Sequence, residues 1–323
     1  KGRDIELNDQ SNKTVCKDMC LWGFQDTYVS NSDRSRFYFE GGLLRGNTDY
    51  LCGKGDVFYN KVNLQMCGTG YLAVPSKPTK YGYIFKDCTI KAEKSGIDGN
   101  YTLGRPWGSG TPVALFIDTK MEAQPSAIGW NEMSGGWPAR FAEYNSMTSK
   151  GTVIDLSGRK KTFGDGHANN PVLTKEEAAQ YTLATVMGST DNWDPTALTE
   201  QASAPQNVLI SEGKMTWDDS QYVLLWAVCK DGKVVDFTTE NHYDNADATG
   251  KWSVRAANEM GGLSEAAEAN TASAVKEVNQ TMGVVATAYY TLDGTCVNAN
   301  YTGTVIKVMT MTDGTVKTVK VNR

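Results

Sequence analysis

Five side chains in the first third of this sequence could together cleave an ester. They are an amide and an acid at Gln25 and Asp26, a second acid at Asp49, a permanent cation at Arg105 and an indole at Trp107. Each lies at the same end of a short apolar run with strand character, and a repetitive scaffold brings such equivalent positions together. We therefore expect residues 25–107 to hold a site that acts on a carbohydrate ester.

Ester cleavage without a metal or a histidine needs an ionised nucleophile and a second group that still carries a proton for the leaving alkoxide. Arg105 beside Asp49 would keep Asp49 ionised, and the charge on Asp49 would favour the protonated form of Asp26. The Gln25 amide could donate a hydrogen bond to the oxyanion of the tetrahedral intermediate. Because neighbouring residues of an extended strand point to opposite faces, Gln25 and Asp26 can share one site only where the backbone bends.

Each of these residues also has a plain structural interpretation. A single Asp near a turn usually caps that turn, Arg105 could form a structural ion pair, and Gln25 could hydrogen-bond within a strand turn. Trp107 offers a flat face to a sugar ring, and Trp130 and Tyr28 would extend this platform. Trp130 could equally pack beneath the site, so residue types alone leave both interpretations open.

Composition narrows the classes of function. The chain has 323 residues, 40% hydrophobic and 21% charged, with a net charge of −5. This length fits one large solenoid or two to three modules. No apolar run reaches the roughly 18 residues that span a bilayer. A chain with a net negative charge and no cluster of basic residues is not expected to bind nucleic acid. The seven cysteines form no C-x-x-C pair and the two histidines lie far apart, so we expect neither a metal nor another cofactor.

A short pattern repeats along the first half of the chain. An apolar residue begins each copy, an acid or amide follows three positions on, and another apolar residue follows three positions later. The copies begin at Val15, Phe37, Val57, Ile84, Leu115 and Phe141, and Tyr occupies the polar slot of the last. This period predicts a stack of parallel strands, an all-β fold of the parallel β-helix type. Leucine-rich repeats and alternating β/α units fit less well, because their consensus and their connecting helices are missing.

The rest of the chain predicts smaller modules. Residues 174–179 are the one good helical stretch of the first half, with a capping-box pattern at Thr174 and Glu177, and we expect this helix to close the C-terminal end of the stack. The small polar run at 201–205 predicts a boundary near residue 203, after a β-helix over 1–203. Alternating segments and Asp-Gly turns then predict an antiparallel β-sandwich over 204–272 and a small β module over 273–323.

Six short motifs, in order, resemble those of the pectin methylesterase family. The sequence GFQDTY at 23–28 resembles GYQDTLY, residues 46–55 resemble GTVDFIFGNA, and residues 103–107 match LGRPW. The other three lie at 70–73, 128–130 and 143–145. The resemblance covers about residues 5–195, and its specificity comes from the combination and order of the motifs.

The resemblance implies a right-handed parallel β-helix that removes methyl groups from galacturonate esters without a metal. Carried over by position, Asp49 resembles the nucleophile, Asp26 the general acid and then base, and Gln25 an oxyanion donor. Arg105 would orient Asp49. The implied substrate-binding residues are Trp107, Trp130, Tyr28 and Thr48. The implied partner is methyl-esterified homogalacturonan, the backbone of pectin.

Several positions depart from the family's pattern. Cys52 replaces a Phe that contacts sugar, and Lys54 replaces an Asn, so Lys54 could attract a de-esterified carboxylate. Arg3 stands where the family has a second glutamine. The coils that precede the Gln25 motif in the family are absent. We therefore expect a truncated start, or a partner or missing segment that covers the edge of the first strand.

The tails resemble modules of secreted proteins. Residues 204–272 are similar to fibronectin type III-like modules of secreted polysaccharide-degrading enzymes from gut Bacteroidetes. Residues 289–294 resemble the C-terminal tail module of such proteins. The resemblance implies a location outside the cytoplasm, secreted or at the cell surface.

Two other functions stay open from the sequence. A polysaccharide lyase or hydrolase could use the same scaffold, with a calcium-binding acid cluster or two acids spaced across the glycosidic bond. A non-catalytic pectin-binding β-helix is favoured by the missing coils and by Arg3. Shortening of the polygalacturonate chain would support the lyase or hydrolase, and pectin binding without methanol release would support the non-catalytic β-helix.

Overall fold

The computed structural model describes residues 5–247, 249–271, 284–298, 300–311 and 314–322. Contacts divide the chain into two compact units, Lys1–Ala202 with Asn258–Gly262 and Ser203–Ala257 with Leu263–Arg323. The module boundaries near residues 203 and 272 stay predictions, and the second of them falls at the edge of 272–283, outside the described residues. Arg3 also lies outside them.

Stacked parallel strands build the first unit, which confirms the predicted parallel β-helix. In chain order its strands are β1 (Leu7–Asp9), β2 (Thr14–Lys17), β3 (Cys20–Trp22), β4 (Tyr28–Ser30), β5 (Arg36–Glu40), β6 (Leu43–Lys54), β7 (Asp56–Asn60), β8 (Asn63–Lys77), β9 (Tyr83–Lys86), β10 (Thr89–Ala92), β11 (Thr102–Gly104), β12 (Val113–Ile117), β13 (Lys120–Met121), β14 (Arg140–Tyr144), β15 (Met147–Thr148), β16 (Thr162–Phe163) and β17 (His167–Ala168). One face is a six-stranded sheet in the order β14-β12-β9-β7-β5-β2.

Strands β6 and β8 each contribute to two further faces. Residues 43–46 of β6 pair with 63–66 of β8, whereas residues 48–54 pair with 71–77, and the register shifts in between. The first half of β6 also pairs with β3 and the second half with β4. We call the face built from β1, β4, β11 and the second halves of β6 and β8 the site face.

A left-handed residue ends each strand of the six-stranded sheet. These residues, with φ between +50° and +63°, are Asp18, Gly41, Lys61, Asp87, Asp118 and Asn145. Asp, Asn and Gly tolerate this conformation best, which explains the polar residue in the repeat. In half of the coils the repeat was wrong by one residue. There the predicted residues Glu40, Asn60 and Tyr144 are the last residues of their strands, and the left-handed residue is the one that follows. Likewise Val15 pairs with Tyr38, and Ile84 with Phe58, rather than with the predicted copy starts.

Aromatic rings fill the interior of the stack, coil above coil. Phe39, Tyr59, Phe85 and Phe116 lie with successive ring centroids 5.3, 4.6 and 4.2 Å apart. Stacked rings at these distances add packing energy to the burial of their apolar area. The ladder therefore fixes the spacing of the coils that carry the site face.

The helices are short: α1 (Lys175–Ala178), α2 (Leu183–Met187) and α3 (Thr196–Thr199). The capping box of α1 is present as predicted, with Thr174 Oγ1 accepting from the Glu177 N–H at 3.1 Å and Glu177 Oε2 accepting from the Thr174 N–H at 2.8 Å. The predicted position of this helix is wrong. Apolar side chains of α1 and α2 pack on the outward-facing side chains of the six-stranded sheet, because those side chains are themselves apolar. The packed residues include Ala178, Val186, Met187, Tyr38, Phe58, Ile84 and Leu115. The segment covers a side of the stack instead of its end.

After residue 203 the chain is rich in strands: β18 (Leu209–Ser211), β19 (Lys214–Thr216), β20 (Leu225–Lys230), β21 (Lys233–Thr238), β22 (His242–Tyr243), β23 (Trp252–Asn258), β24 (Gly262–Leu263), β25 (Ala267–Glu268), β26 (Asn270–Thr271), β27 (Val284–Thr291), β28 (Cys296–Val297), β29 (Thr304–Met311) and β30 (Val316–Asn322). They form sheets in the orders β22-β19-β18-β26, β21-β20-β23-β24 with β25 beside β23, and β28-β27-β29-β30. The described pairs are antiparallel apart from β18 with β26, which is parallel. None of the helices in the described part of the chain has the length and apolar character needed to cross a membrane.

Candidate active site

The two predicted acids occupy equivalent positions on neighbouring coils of the site face. Gln25 forms a parallel bridge with Thr48, and the Asp26 N–H donates to the Thr48 carbonyl at 3.3 Å. Asp26 and Asp49 are therefore side by side in the sheet, where neighbouring strands lie about 4.8 Å apart.

The backbone bends at both acids. Asp26 and Asp49 each have a φ of +54°, in the left-handed region that Asp tolerates better than most residues. This conformation breaks the alternation of an extended strand, so Gln25 and Asp26 line the same cavity although they are adjacent in sequence. The bend that the sequence argument required is present.

Arg105 binds Asp49 through two hydrogen bonds. Its Nε lies 3.0 Å from Asp49 Oδ1, and its Nη2 lies 2.6 Å from Oδ2. Such a bidentate pair is short, charge-assisted and geometrically specific. The structure thus brings together the cation and the acid that the sequence paired.

The surroundings of Arg105 fix its position. Its N–H donates to the Ala73 carbonyl at 3.1 Å, and its guanidinium carbon lies 3.8 Å from the ring centroid of Tyr71. The preceding Gly104 has no room for a side chain, because a Cβ there would lie 2.3 Å from the Ala73 oxygen. Arg105 is therefore held by the backbone, by a carboxylate and by an aromatic face.

A small cavity of about 110 Å³ lies in front of the two acids. Its lining residues are Gln25, Asp26, Asp49, Cys52, Val74, Trp107 and Met133. Asp49 is 7% exposed, whereas Trp107 is 45% exposed. The Cys52 Sγ donates to Asp26 Oδ1 at 3.8 Å. The cavity fits one ester group, and the Trp107 ring is free to contact a sugar outside it.

Two predicted platform residues do not reach the surface. Trp130 and Tyr28 are both fully buried, so their predicted contact with sugar is wrong. The Trp130 ring stacks on Phe141 at 4.8 Å, and the Tyr28 ring meets Phe39 edge-on at 4.7 Å. Both rings belong to the apolar interior of the stack, where an aromatic side chain is most stable.

Thr48 contributes through its backbone. Its carbonyl accepts the Asp26 N–H, and its hydroxyl accepts a hydrogen bond from the neighbouring Asn47 amide at 3.0 Å. Thr48 does not belong to the residues that line the cavity. It supports the bend instead of contacting a ligand there.

Sequence reasoning missed Tyr71, Val74 and Met133. Tyr71 lies in the motif at residues 70–73, which is part of the family resemblance but was given no functional role. Val74 pairs in register with Cys52, so knowledge of the register would have found it. Met133 comes from the turn after Trp130, and no pattern in the sequence marks it.

Among the described residues, no group of three or more His, Cys, Asp or Glu side chains is arranged to hold a metal ion. The titratable groups at the cavity are the two carboxyls, one thiol and the guanidinium next to Asp49. The two carboxyls can supply a nucleophile and a proton donor, and the Gln25 amide can donate to an oxyanion; together these groups suffice for acyl transfer.

The family model for pectinesterases matches residues 1–190 of this chain. Similar curated proteins include the putative pectinesterase/pectinesterase inhibitor 26 of Arabidopsis thaliana, 24% identical over 61% of this chain and 21% of that protein. Probable pectinesterase A of Aspergillus flavus is 28% identical over 43% of this chain and 42% of that protein. Pectinesterase 1 of Arabidopsis thaliana is 28% identical over 60% of this chain and 33% of that protein.

Among solved structures, the crystal structure of the pectin methylesterase from Aspergillus niger is similar, with a TM-score of 0.41 and 23% identity over 53% of this chain and 52% of that chain. The chain spans between 21% and 42% of the length of the three curated relatives.

Proposed function

The chain belongs to the pectinesterase family, and from this premise we propose that it is a carboxylic ester hydrolase that removes methyl esters from the galacturonate units of pectin. One observation carries the proposal. Asp49 is bound by Arg105 through two hydrogen bonds, and it lines one small cavity together with Asp26 and Gln25.

In the proposed first half-reaction, a carboxylate oxygen of Asp49 attacks the carbonyl carbon of the ester. Arg105 binds both oxygens of Asp49 and thereby fixes the direction of attack. The Gln25 amide donates to the oxyanion of the tetrahedral intermediate, a contribution of about 2.7–4 kcal/mol in comparable sites. The carbon–methoxide bond then breaks, Asp26 gives its proton to the leaving oxygen, and methanol departs from an acyl anhydride on Asp49.

In the second half-reaction, Asp26 acts as a base. It takes a proton from a water molecule as the water oxygen attacks the acyl carbon. The bond to Asp49 breaks, which restores the Asp49 carboxylate and releases a galacturonic acid group. Asp26 ends protonated again, so each turnover consumes one water and yields one methanol and one carboxyl group.

The exposed ring of Trp107 beside the cavity suits the apolar face of a sugar next to the reacting ester. Pectin lies outside cells, so we also propose that the protein acts outside the cytoplasm. The modules over 204–272 and 273–323 are proposed to be accessory domains of such a protein.

A methanol-release assay on methyl-esterified homogalacturonan tests this function. We expect methanol and new carboxyl groups in equal amounts, with no change in chain length. Shorter chains or unsaturated products would replace the proposal with a hydrolase or a lyase. Binding of the polymer without methanol would replace it with a non-catalytic role.

A further inference from the structure

A second cavity lies beside the site face, further along the same strands as the catalytic residues. Strand β6 continues from Asp49 through Cys52 to Lys54, where it ends. Lys54 pairs with Lys77 on the neighbouring strand β8. Two strand residues span about 7 Å, so Lys54 and Lys77 begin about that distance beyond the Cys52 position at the catalytic cavity.

This second cavity has a volume of about 440 Å³ and is lined by Asp33, Arg34, Lys77, Pro78 and Thr79. Lys54 joins it through an exposed ion pair, with its Nζ 3.4 Å from Asp33 Oδ1. Lys77 and Arg34 are exposed. Within the described residues, neither of these two has a carboxylate within salt-bridge distance. Three cations face one carboxylate, so the cavity carries an excess of positive charge.

The wall of the cavity is firmly held. The buried carboxyl of Asp56 accepts hydrogen bonds from the N–H groups of Thr79, Lys80, Tyr81 and Gly82 at 2.7–3.1 Å. The Thr79 hydroxyl also donates to the Ser35 carbonyl at 3.1 Å. The backbone of residues 79–82, which follows Lys77 and includes the lining residue Thr79, is therefore fixed before any ligand binds, and a fixed wall lowers the entropy cost of binding.

We propose that Lys54, Lys77 and Arg34 form a second binding site, which takes the carboxylate of a de-esterified galacturonate unit. This inference rests on the proposed function for the identity of the polymer, because each turnover at Asp49 creates such a carboxylate. A polymer with a free carboxylate near the reacting ester would engage both cavities. The protein would therefore favour partly de-esterified pectin over the fully methylated polymer.

Removal of the Asp33 charge and removal of a lysine charge should change the affinity for the ligand in opposite directions. The Asp33 carboxylate competes for Lys54, and an exposed ion pair of this kind is weak. Removing the Asp33 charge should free Lys54 for the ligand, whereas removing a lysine charge should weaken binding. A role of these side chains in folding alone would not produce opposite effects on affinity.

The experiment is calorimetric titration of the full chain with a short unesterified oligogalacturonate, which needs no ester hydrolysis. We expect Lys54→Gln and Lys77→Gln each to weaken binding by about threefold and the double variant by about tenfold, and Asp33→Asn to tighten it by about twofold. Binding should also weaken as salt rises, because exposed charges are screened.

The matched control is Lys91→Gln, an exposed lysine on strand β10 that also pairs with a carboxylate, Glu122, at 3.8 Å. Its affinity should equal that of the wild type. The proposal is overturned if the wild type does not bind the oligomer, or if Lys54→Gln and Lys77→Gln behave like the control. Lysine-dependent binding in a protein that releases no methanol would instead refute the proposed function and leave this site standing.

Discussion

At the scale of single residues, the site depends on two aspartates in a strained backbone conformation. A positive φ at Asp26 and Asp49 costs conformational energy that the flanking coils must supply. In return the carboxyls leave the alternating pattern of the strand and share a cavity with Gln25. Residue types and motif order were enough to select these three side chains and Arg105.

Arg105→Lys should lower the rate of methanol release by about 100-fold, because a lysine ammonium cannot hold both Asp49 oxygens and a small misplacement of a nucleophile is costly. The measurement is the initial rate at saturating polymer.

A matched control is Arg45→Lys. Arg45 binds Glu93 through Nε and Nη2 at 2.7–3.1 Å, in a similar bidentate geometry away from the cavity. That variant should keep the wild-type rate. Equal losses in both variants would mean that the Arg105 effect is structural and not tied to Asp49.

The sequence could not distinguish a sugar-facing aromatic ring from a core ring. Trp107 and Trp130 are both indoles within family motifs, but only Trp107 is exposed. Which side of a strand a ring occupies depends on the local bend, and bends such as those at residues 26 and 49 leave no clear mark in residue types. The structure therefore brings the predicted catalytic side chains together, whereas Trp130 and Tyr28 lie in the core; the catalytic roles themselves stay predictions.

At the scale of elements, the stack of coils was predictable and its register was not. The apolar repeat was enough to place all six strands of the first sheet, because each coil must bury one apolar strand. The turn slot accepts Asp, Asn, Gly and even Lys61, so an acid one residue earlier, at Glu40, was indistinguishable from a turn residue. That ambiguity produced the one-residue error in half of the coils.

A buried ion pair strengthens the last coils. Arg159 Nε lies 2.6 Å from Glu143 Oε1, with both side chains almost fully buried. Glu143→Gln should lower the free energy of unfolding by roughly 3–5 kcal/mol, because it leaves the guanidinium buried without a counter-charge.

Denaturant unfolding measures this loss. The control Glu122→Gln removes an exposed partner of Lys120 and should cost less than about 1 kcal/mol. Similar small losses in both variants would show that the buried pair is not a main support of the stack.

The turn residue Asp118 should give a pH-dependent stability. Burial alone would raise its pKa, but hydrogen bonds from Asn145 and Lys86, and the Lys86 charge, lower the pKa below its ordinary value. A carboxyl with a lowered pKa in the folded state stabilises the fold above its unfolded pKa of about 3.9, and this contribution is lost as pH falls through the folded value.

Unfolding midpoints of the wild type and Asp118→Asn, measured from pH 7 down to pH 2, check this. The wild type should have the higher unfolding midpoint at pH 7, and the difference between the two midpoints should shrink below about pH 4. A difference that stays constant with pH would show that the stabilisation does not come from the ionised carboxyl.

At the scale of the whole molecule, residues far apart in sequence meet because each coil returns to the same face. The cavity in front of the two acids draws on Gln25, Asp49, Val74, Trp107 and Met133, which belong to successive turns of one stack. The site is therefore a property of the stacking, and the ring ladder behind it sets the spacing. The modules after residue 203 stay proposals, since their sequence patterns predict strands but no chemistry.

The most direct test of the central claim is the rate of methanol release by Asp49→Asn, a substitution that keeps the size of the side chain and removes the nucleophilic charge. With an unfolding midpoint close to that of the wild type, the variant should lose at least about 1,000-fold in rate, as expected when a nucleophile is removed. A folded Asp49→Asn variant that retains a rate within tenfold of the wild type would contradict the assignment of Asp49 and the mechanism built on it.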